Sequence, residues 1–297
     1  MNFISQNLRY IAVMCIAIVI GVAAADAFGQ DVYKVKNKDY ASKENSFCSN
    51  ENWSNGDRVS FRDLRETTMP ATGSLTVDSG QNGGISVIGS DRNDIVVRAC
   101  VQTWGNTDEA AKAAASNIRI STTGAIRAEG ADYKNGSVSF QVLVPRSINL
   151  DLTARNGGIS VSETIGSTQL ETVNGGVHLA NLSGDVKGRT TNGGVHIVLA
   201  GASWRGSGLE VTTTNGGVHI SMPENYAAHV EAGTVNGGFH SDIPALNVTT
   251  EELRGDWGHS RAKRIETNFN GGGPPIRVTT TNGGVHISSS GGSQIKF

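Results

Sequence analysis

The chain has 297 residues and a formal charge of −2, with 38 glycines, 6 prolines and only 18% charged residues. That balance excludes a highly charged disordered chain and a glycine-poor helical one. It also excludes a strong basic field for nucleic acid or anionic lipid, and no basic run interleaved with aromatics occurs.

The N-terminus reads as a targeting signal over residues 1–27. Arg9 supplies a positive start, Tyr10 to Ala25 an apolar stretch, and Ala23-Ala24-Ala25 or Ala25-Asp26-Ala27 a small-x-small cleavage site. The apolar stretch is short for a spanning helix, which needs about 20 residues. Export and cleavage are therefore expected, with no membrane span afterwards, and an uncleaved anchor is the alternative. Apolar residues continue past Cys15, which argues against a lipoprotein site. Cys48 and Cys100 would remain, and outside the cytoplasm such a pair reads as a structural disulfide.

Residues 28–72 are polar and mixed, and a poorly ordered lead-in is expected there. From Ser74 short alternating runs begin: SLTVDSG, GISVIGS and DIVVRACVQTW read as strands. One helix is predicted near 108–117, with Thr107 as N-cap and acidic residues in its first turn. Strand patterns then return in IRIST, AIRAEG, SVSFQVLVP and INLDLTA. Residues 73–149 thus form a β-rich region with one short helix, and an antiparallel unit is expected from about Ser74 to Pro145.

Repeats occupy 150–290, ahead of a tail at 291–297. Asn-Gly-Gly occurs at Asn156-Gly157-Gly158, Asn174-Gly175-Gly176, Asn192-Gly193-Gly194, Asn215-Gly216-Gly217, Asn236-Gly237-Gly238 and Asn282-Gly283-Gly284. The intervals are 18, 18, 23, 21 and 46 residues. A period near 20 is characteristic of stacked β-arrays. Before each Asn, apolar or small residues alternate with polar ones, as in Leu150, Leu152, Ala154 against Asp151, Thr153, Arg155. After the glycines, alternation resumes with Val195 and Ile197 around His196.

Each repeat therefore reads as two short strands around a Gly-Gly corner. Glycine would supply positive φ there, and asparagine tolerates left-handed backbone. Asn-Gly also signals hairpins. Near-identical successive repeats favour a stack instead, in which asparagines about 4.8 Å apart form an amide ladder. Asn82 and Asn270 have their apolar residues at shifted offsets, and are expected to mark the start of the stack and a bulge near its end.

Stacking places Ser160, His178, His196, His219, His240 and His286 in one column, taking five of the chain's seven histidines. Repetition of the unit explains the column without chemistry. Neighbouring imidazoles offer a metal strip, but no carboxylate or thiolate recurs at a fixed offset to complete a ligand set. Mutual repulsion should lower some of the imidazole pKa values.

No paired acids recur, no Gly-x-Ser-x-Gly elbow stands at a strand–helix junction, and GxGxxG and GxxxxGK[ST] are absent. A non-catalytic scaffold without cofactor follows. Thr212 with Thr214 and Thr279 with Thr281 resemble ice-binding rungs, but other coils break that array. Trp204, Tyr226 and Trp257 fall in longer connections, where they suit either a glycan-binding rim or the covering of edges. The terminal Gln-Ile-Lys-Phe is reminiscent of outer-membrane barrels, yet long lipid-facing strands with aromatic girdles are missing.

MPATGSLTVDSGQNGGISVIGSDRNDIVVRA at 69–99, FQVLVPRSINLDLTARNGGISV at 140–161, LSGDVKGRTTNGGVHIVLAG at 182–201 and GSGLEVTTTNGGVHISMPENYAAHVEAGTVNGG at 206–238 together carry a resemblance. The chain resembles, over roughly residues 63–290, the bacterial putative-adhesin family of β-strand-repeat proteins, a domain-of-unknown-function family. The resemblance implies an extracytoplasmic, right-handed β-solenoid without catalysis, and no catalytic residues carry over. The expectation is an all-β exported protein with a structural or adhesin-like role at the cell envelope, toward a protein or glycan partner. A metal- or glycan-binding module using the histidine column and aromatic loops is the alternative.

Overall fold

The computed structural model describes residues 47–48, 58–243, 251–254 and 261–290. Met1–Ser49 and Asn50–Phe297 form separate units, and the second carries the fold. Residues 1–27, read above as a targeting signal, most of the lead-in, the Trp257 connection and the tail over 291–297 lie outside the described residues.

The repeats alternate between two long sheets. Strand β8 (Asn149–Asn156) buries Leu150, Leu152 and Ala154 and leaves Asp151, Thr153 and Arg155 exposed. Gly157 and Gly158 then lead into β9 (Ile159–Ser162) of the other sheet, which buries Ile159 and Val161. The next repeat, β10 (Ile165–Asn174) and β11 (Val177–Ala180), lies parallel on the first with Leu170 on Leu152 and Leu179 on Val161. Strands β12 (Ser183–Asn192) and β13 (Val195–Val198), then β14 (Gly208–Asn215) and β15 (Val218–Met222), continue in the same register. The two inner faces fill one core with Val, Ile and Leu. Each fully buried side chain of that kind contributes about 1.5–3 kcal/mol.

The chain does not add its last repeats in order. Strands β20 (Pro275–Asn282) and β21 (Val285–Ser289) pair directly with β14 and β15. Strands β16 (Ala228–Asn236) and β17 (Phe239–Ser241) lie beyond them. The repeat of Asn282 is thus inserted between those of Asn215 and Asn236. Strand β19 (Arg261–Phe269) pairs antiparallel with β16, and β18 (Glu251–Arg254) pairs antiparallel with β19 beyond it.

The N-terminal strands share these sheets. Strands β2 (Ser74–Asp78) and β3 (Ile85–Ser90) are a full parallel coil against β8 and β9. Strands β6 (Ala125–Glu129) and β7 (Gly136–Pro145) pair parallel with β2 and β3 on their far side. The antiparallel arrangement expected over Ser74–Pro145 holds only for the outer strands: β4 (Asp94–Gly105) against β7, and β5 (Arg119–Ser121) against β6. The lead-in, expected to be irregular to residue 72, contains β1 (Val59–Pro70), which pairs with β4 along its whole length. Burial alternates only weakly along β1, so its residues carry no clear strand period.

Among the described residues, the helix α1 (Asp108–Ser116) starts where expected, with the Thr107 side chain accepting from Ala110 N at 3.2 Å. Ala111 and Ala115 bury its inner face, and Arg65 of β1 donates to Ala115 O at 2.9 Å and to Ile118 O at the helix end.

Candidate functional site

The column begins with its supports. Side-chain amides run from coil to coil: Asn156 to Asn82, Asn174 to Asn156, Asn192 to Asn174, Asn215 to Asn192, Asn282 to Asn215 and Asn236 to Asn282, all within 2.7–3.0 Å. Asn82 is a full rung of this ladder. Its shifted offset is absorbed by one extra residue at Gly80, which has φ +69°. Asn270 is not a bulge in the stack. It sits at φ +46° after β19, and its amide donates to Glu224 O and Tyr226 O, holding the loop that carries the chain from β19 into β20.

The Gly-Gly pairs serve a different purpose from the one expected. The paired glycines of the six repeats from Asn156 to Asn282 are not among the positive-φ residues. The first glycine is demanded by space: a Cβ at Gly193 would lie 2.0 Å from Gly175 O, and one at Gly216 2.0 Å from Gly193 O. The second is looser, with a Cβ at Gly194 lying 3.6 Å from Gly217 O. Buried threonines two residues before Asn174, Asn192, Asn215, Asn236 and Asn282 donate to the first-glycine carbonyl of the adjacent coil. Thr190 does so to Gly175 O at 2.8 Å and Thr213 to Gly193 O at 2.9 Å. Left-handed backbone occurs at the other end of the coils, at Glu163 (φ +59°) and Asn181 (φ +55°), whose side chains bond to each other.

Fixed in this way, the position four residues after each Asn projects from one sheet. Its order in space is Ser160, His178, His196, His219, His286, His240. Ring centroids are 5.5 Å apart for His178–His196 and 4.9 Å for His196–His219, both stacked. His219 meets His286 at 4.7 Å edge-on, and its Nε2 lies 2.9 Å from Ser288 Oγ. His286 and His240 are tilted at 5.0 Å.

Asp242 completes the end of the column. One carboxylate oxygen lies 2.8 Å from His240 Nε2 and the other 2.9 Å from His286 Nε2. Sequence reasoning missed this residue because it sought a carboxylate at the same offset in every repeat. The available signal was local: His240-Ser241-Asp242 places a histidine and an acid on one face of an extended segment.

Electrostatics differ along the column. Burial pushes His196 below the ordinary imidazole range. Burial also lowers His219, followed by the charges of His196 and His286, with Asp242 opposing. Desolvation thus outranks the repulsion expected from stacking. Hydrogen bonds from His286 and His240 hold the Asp242 carboxyl below its usual value. His196, His219, His286 and His240 border an open groove of about 660 Å³ that is also lined by Gly194, Gly217, Gly238 and Gly284. Without side chains at those positions, the groove is open to solvent beside the rings.

Two of the aromatic residues considered for a glycan rim belong to the core. Trp204 is 3% and Tyr226 1% exposed. Trp204 Nε1 donates to Gly184 O at 3.0 Å, and burial pushes the Tyr226 hydroxyl up to about 12. Cys48 and Cys100 are both disulfide-bonded.

Among solved structures, the chain is similar to a putative cell adhesion protein from Clostridium sporogenes, at 8% identity and TM-score 0.39, over 77% of this chain and 100% of that one. It is similar to a putative adhesin from Bacteroides fragilis at 11% identity and TM-score 0.31, over 76% and 97%. It is also similar to a putative lipid binding protein from Parabacteroides distasonis at 9% identity and TM-score 0.21, over 77% and 96%. No curated protein matches the chain. The family profile described as Toastrack DUF4097 matches residues 30–288, and the chain belongs to that family.

Proposed function

We propose that this is an exported, non-catalytic display protein with a structural or adhesive role at the cell envelope or outside the cell. Its coils form a right-handed β-solenoid with the Asn-Gly-Gly triplets as corners. The handedness follows from the strong preference of parallel β crossovers for the right hand. The observation that carries the reading is the register lock: six amide links hold the coils in line, so every outward residue repeats in a straight row. A surface set in rows by hydrogen bonding between coils suits contact with an extended partner, protein or glycan.

The outward rows of the second sheet support display over catalysis. One register runs Asp151, Gln169, Lys187, Glu210, Arg277, Glu231, mixing both charges on a flat face. The carboxylates that approach each other, Glu231 and Glu266, share Arg264, and Glu231 also pairs with Arg277. Acids neutralised in this way lack the paired, differently tuned character of an acid–base couple. Burial of Trp204 and Tyr226 weighs against a glycan rim on the connections.

Localisation follows the same reading. Oxidised Cys48 and Cys100 suit a compartment outside the cytoplasm. The test is fractionation of the source cells with thiol labelling, followed by adhesion of beads carrying the purified chain to those cells and to extracellular matrix. Recovery outside the cytoplasm with blocked thiols, and adhesion that falls for a Lys187→Glu/Arg277→Glu variant, are expected. A cytoplasmic protein with free thiols, or beads that bind nothing, overturns the reading.

A further inference from the structure

We propose that His240, Asp242 and His286 form a binding site for one divalent transition-metal ion of the zinc type. The two Nε2 atoms and the carboxylate converge, and the three ligand atoms lie within 4.8 Å of one another. Two imidazoles and one carboxylate, with a remaining position open to water, are a donor set that zinc accepts at about 2.0–2.1 Å per bond. Tetrahedral ligands at that bond length stand about 3.3 Å apart. The carboxylate is shared, with one oxygen 2.8 Å from His240 Nε2 and the other 2.9 Å from His286 Nε2, so an ion would take both oxygens or draw one of them toward both rings.

The backbone holds the three groups ready. His240 and His286 are register partners on β17 and β21. Asp242 N donates to Ile287 O at 2.9 Å, tying the residue after β17 to the neighbouring strand. Ile243, 3% exposed, anchors the following position, and its N–H is capped by Ser241 Oγ at 3.1 Å. The ligands are therefore placed before any ion arrives, which limits the ordering needed on binding.

Chemistry also favours this end of the column over the rest. His178, His196 and His219 have similar spacing, yet the carboxylate stands only beside His240 and His286 among the grouped ligands of the described residues. In the present arrangement one carboxylate serves two imidazole edges. An ion at their meeting point would replace the two hydrogen bonds with three metal–ligand bonds. Gly238 and Gly284 line the adjoining groove, leaving an approach for water or an outer ligand.

The test is calorimetric titration of the full chain with Zn²⁺ alone, at neutral pH in a non-chelating buffer. One saturable equivalent is expected for wild type and for His178→Ala. Asp242→Asn and His240→Ala should each bind at least about tenfold more weakly. Circular dichroism without metal checks that each variant is folded. Because both substitutions lie at the exposed end of the stack, one folded variant is sufficient. Absence of saturable binding in the wild type, or wild-type affinity in both folded Asp242→Asn and His240→Ala, overturns the site. Multiple equivalents lost evenly on removing any histidine would assign the binding to the column as a whole and equally overturn it. The titration uses isolated protein, so its outcome is separable from that of the adhesion test.

Discussion

The side-chain amide of Asn236 donates to Asn282 Oδ1 at 2.8 Å, across 46 residues of chain. Asn282 in turn donates to Asn215 at 2.7 Å. The last repeat in the chain is therefore the inner one, and the repeat before it in sequence joins the parallel stack through it. Removing residues 275–297 should expose the whole β16–β17 coil as well as the deleted one. Hydrogen exchange of amides 228–241 tests this: their protection should fall to that of loops, while amides 150–180 stay protected.

Gly193→Ala and Gly194→Ala differ by one position and should differ sharply in effect. The first puts a Cβ 2.0 Å from a backbone oxygen that cannot retreat without breaking coil-to-coil bonding. A loss of about 3 kcal/mol or more is expected. The second meets ordinary contact distance and should change stability by less than about 1 kcal/mol. Urea midpoints of the two variants make the comparison.

Asn215 both donates to Asn192 and accepts from Asn282, whereas Asn236 makes one such bond among the described residues. Each exchange of an amide–amide bond for water costs about 1 kcal/mol. On that figure Asn215→Ala should lower stability by about 2 kcal/mol and Asn236→Ala by about half that, read from thermal unfolding.

His196 lies between His178 and His219, and burial lowers its pKa in the folded chain. The unfolded chain takes up that proton near about pH 6.5. The folded chain takes it only at lower pH. Stability from this group is therefore full above about pH 6.5, falls as the pH drops toward the folded value, and levels off below it. The urea midpoint should decline between about pH 7 and pH 5, and His196→Gln should flatten that decline.

Trp204 fills the core under the connection between β13 and β14, with its Nε1 satisfied by Gly184 O. Trp204→Ala should cost about 3–5 kcal/mol without altering surface binding, measured as a fall in the urea midpoint.

What is legible in the sequence follows from period. Val195 and Ile197 around His196, repeated every coil, determine which side chains face inward, and the 108–117 helix is legible from Thr107 and the alanines after it. Spatial order is not legible, because near-identical coils such as those of Asn215 and Asn282 are equally good neighbours for one another. Only the strands between 251 and 269 and the pairing of β14 with β20 decide it. The reason for glycine is hidden in the same way. A sequence shows a residue without a side chain, but the carbonyl occupying that space belongs to the next coil. Asp242 is inconspicuous because it occurs once, and a repeat draws attention to what recurs.

Among the described strands, three of the four sheet ends finish in antiparallel pairing, through β1 on β4, β5 on β6 and β18 on β19. A further coil running the same way has no matching template at those margins. Reversal of chain direction interrupts the parallel register there and so counters the simplest end-to-end stacking, the hazard of any self-similar sheet.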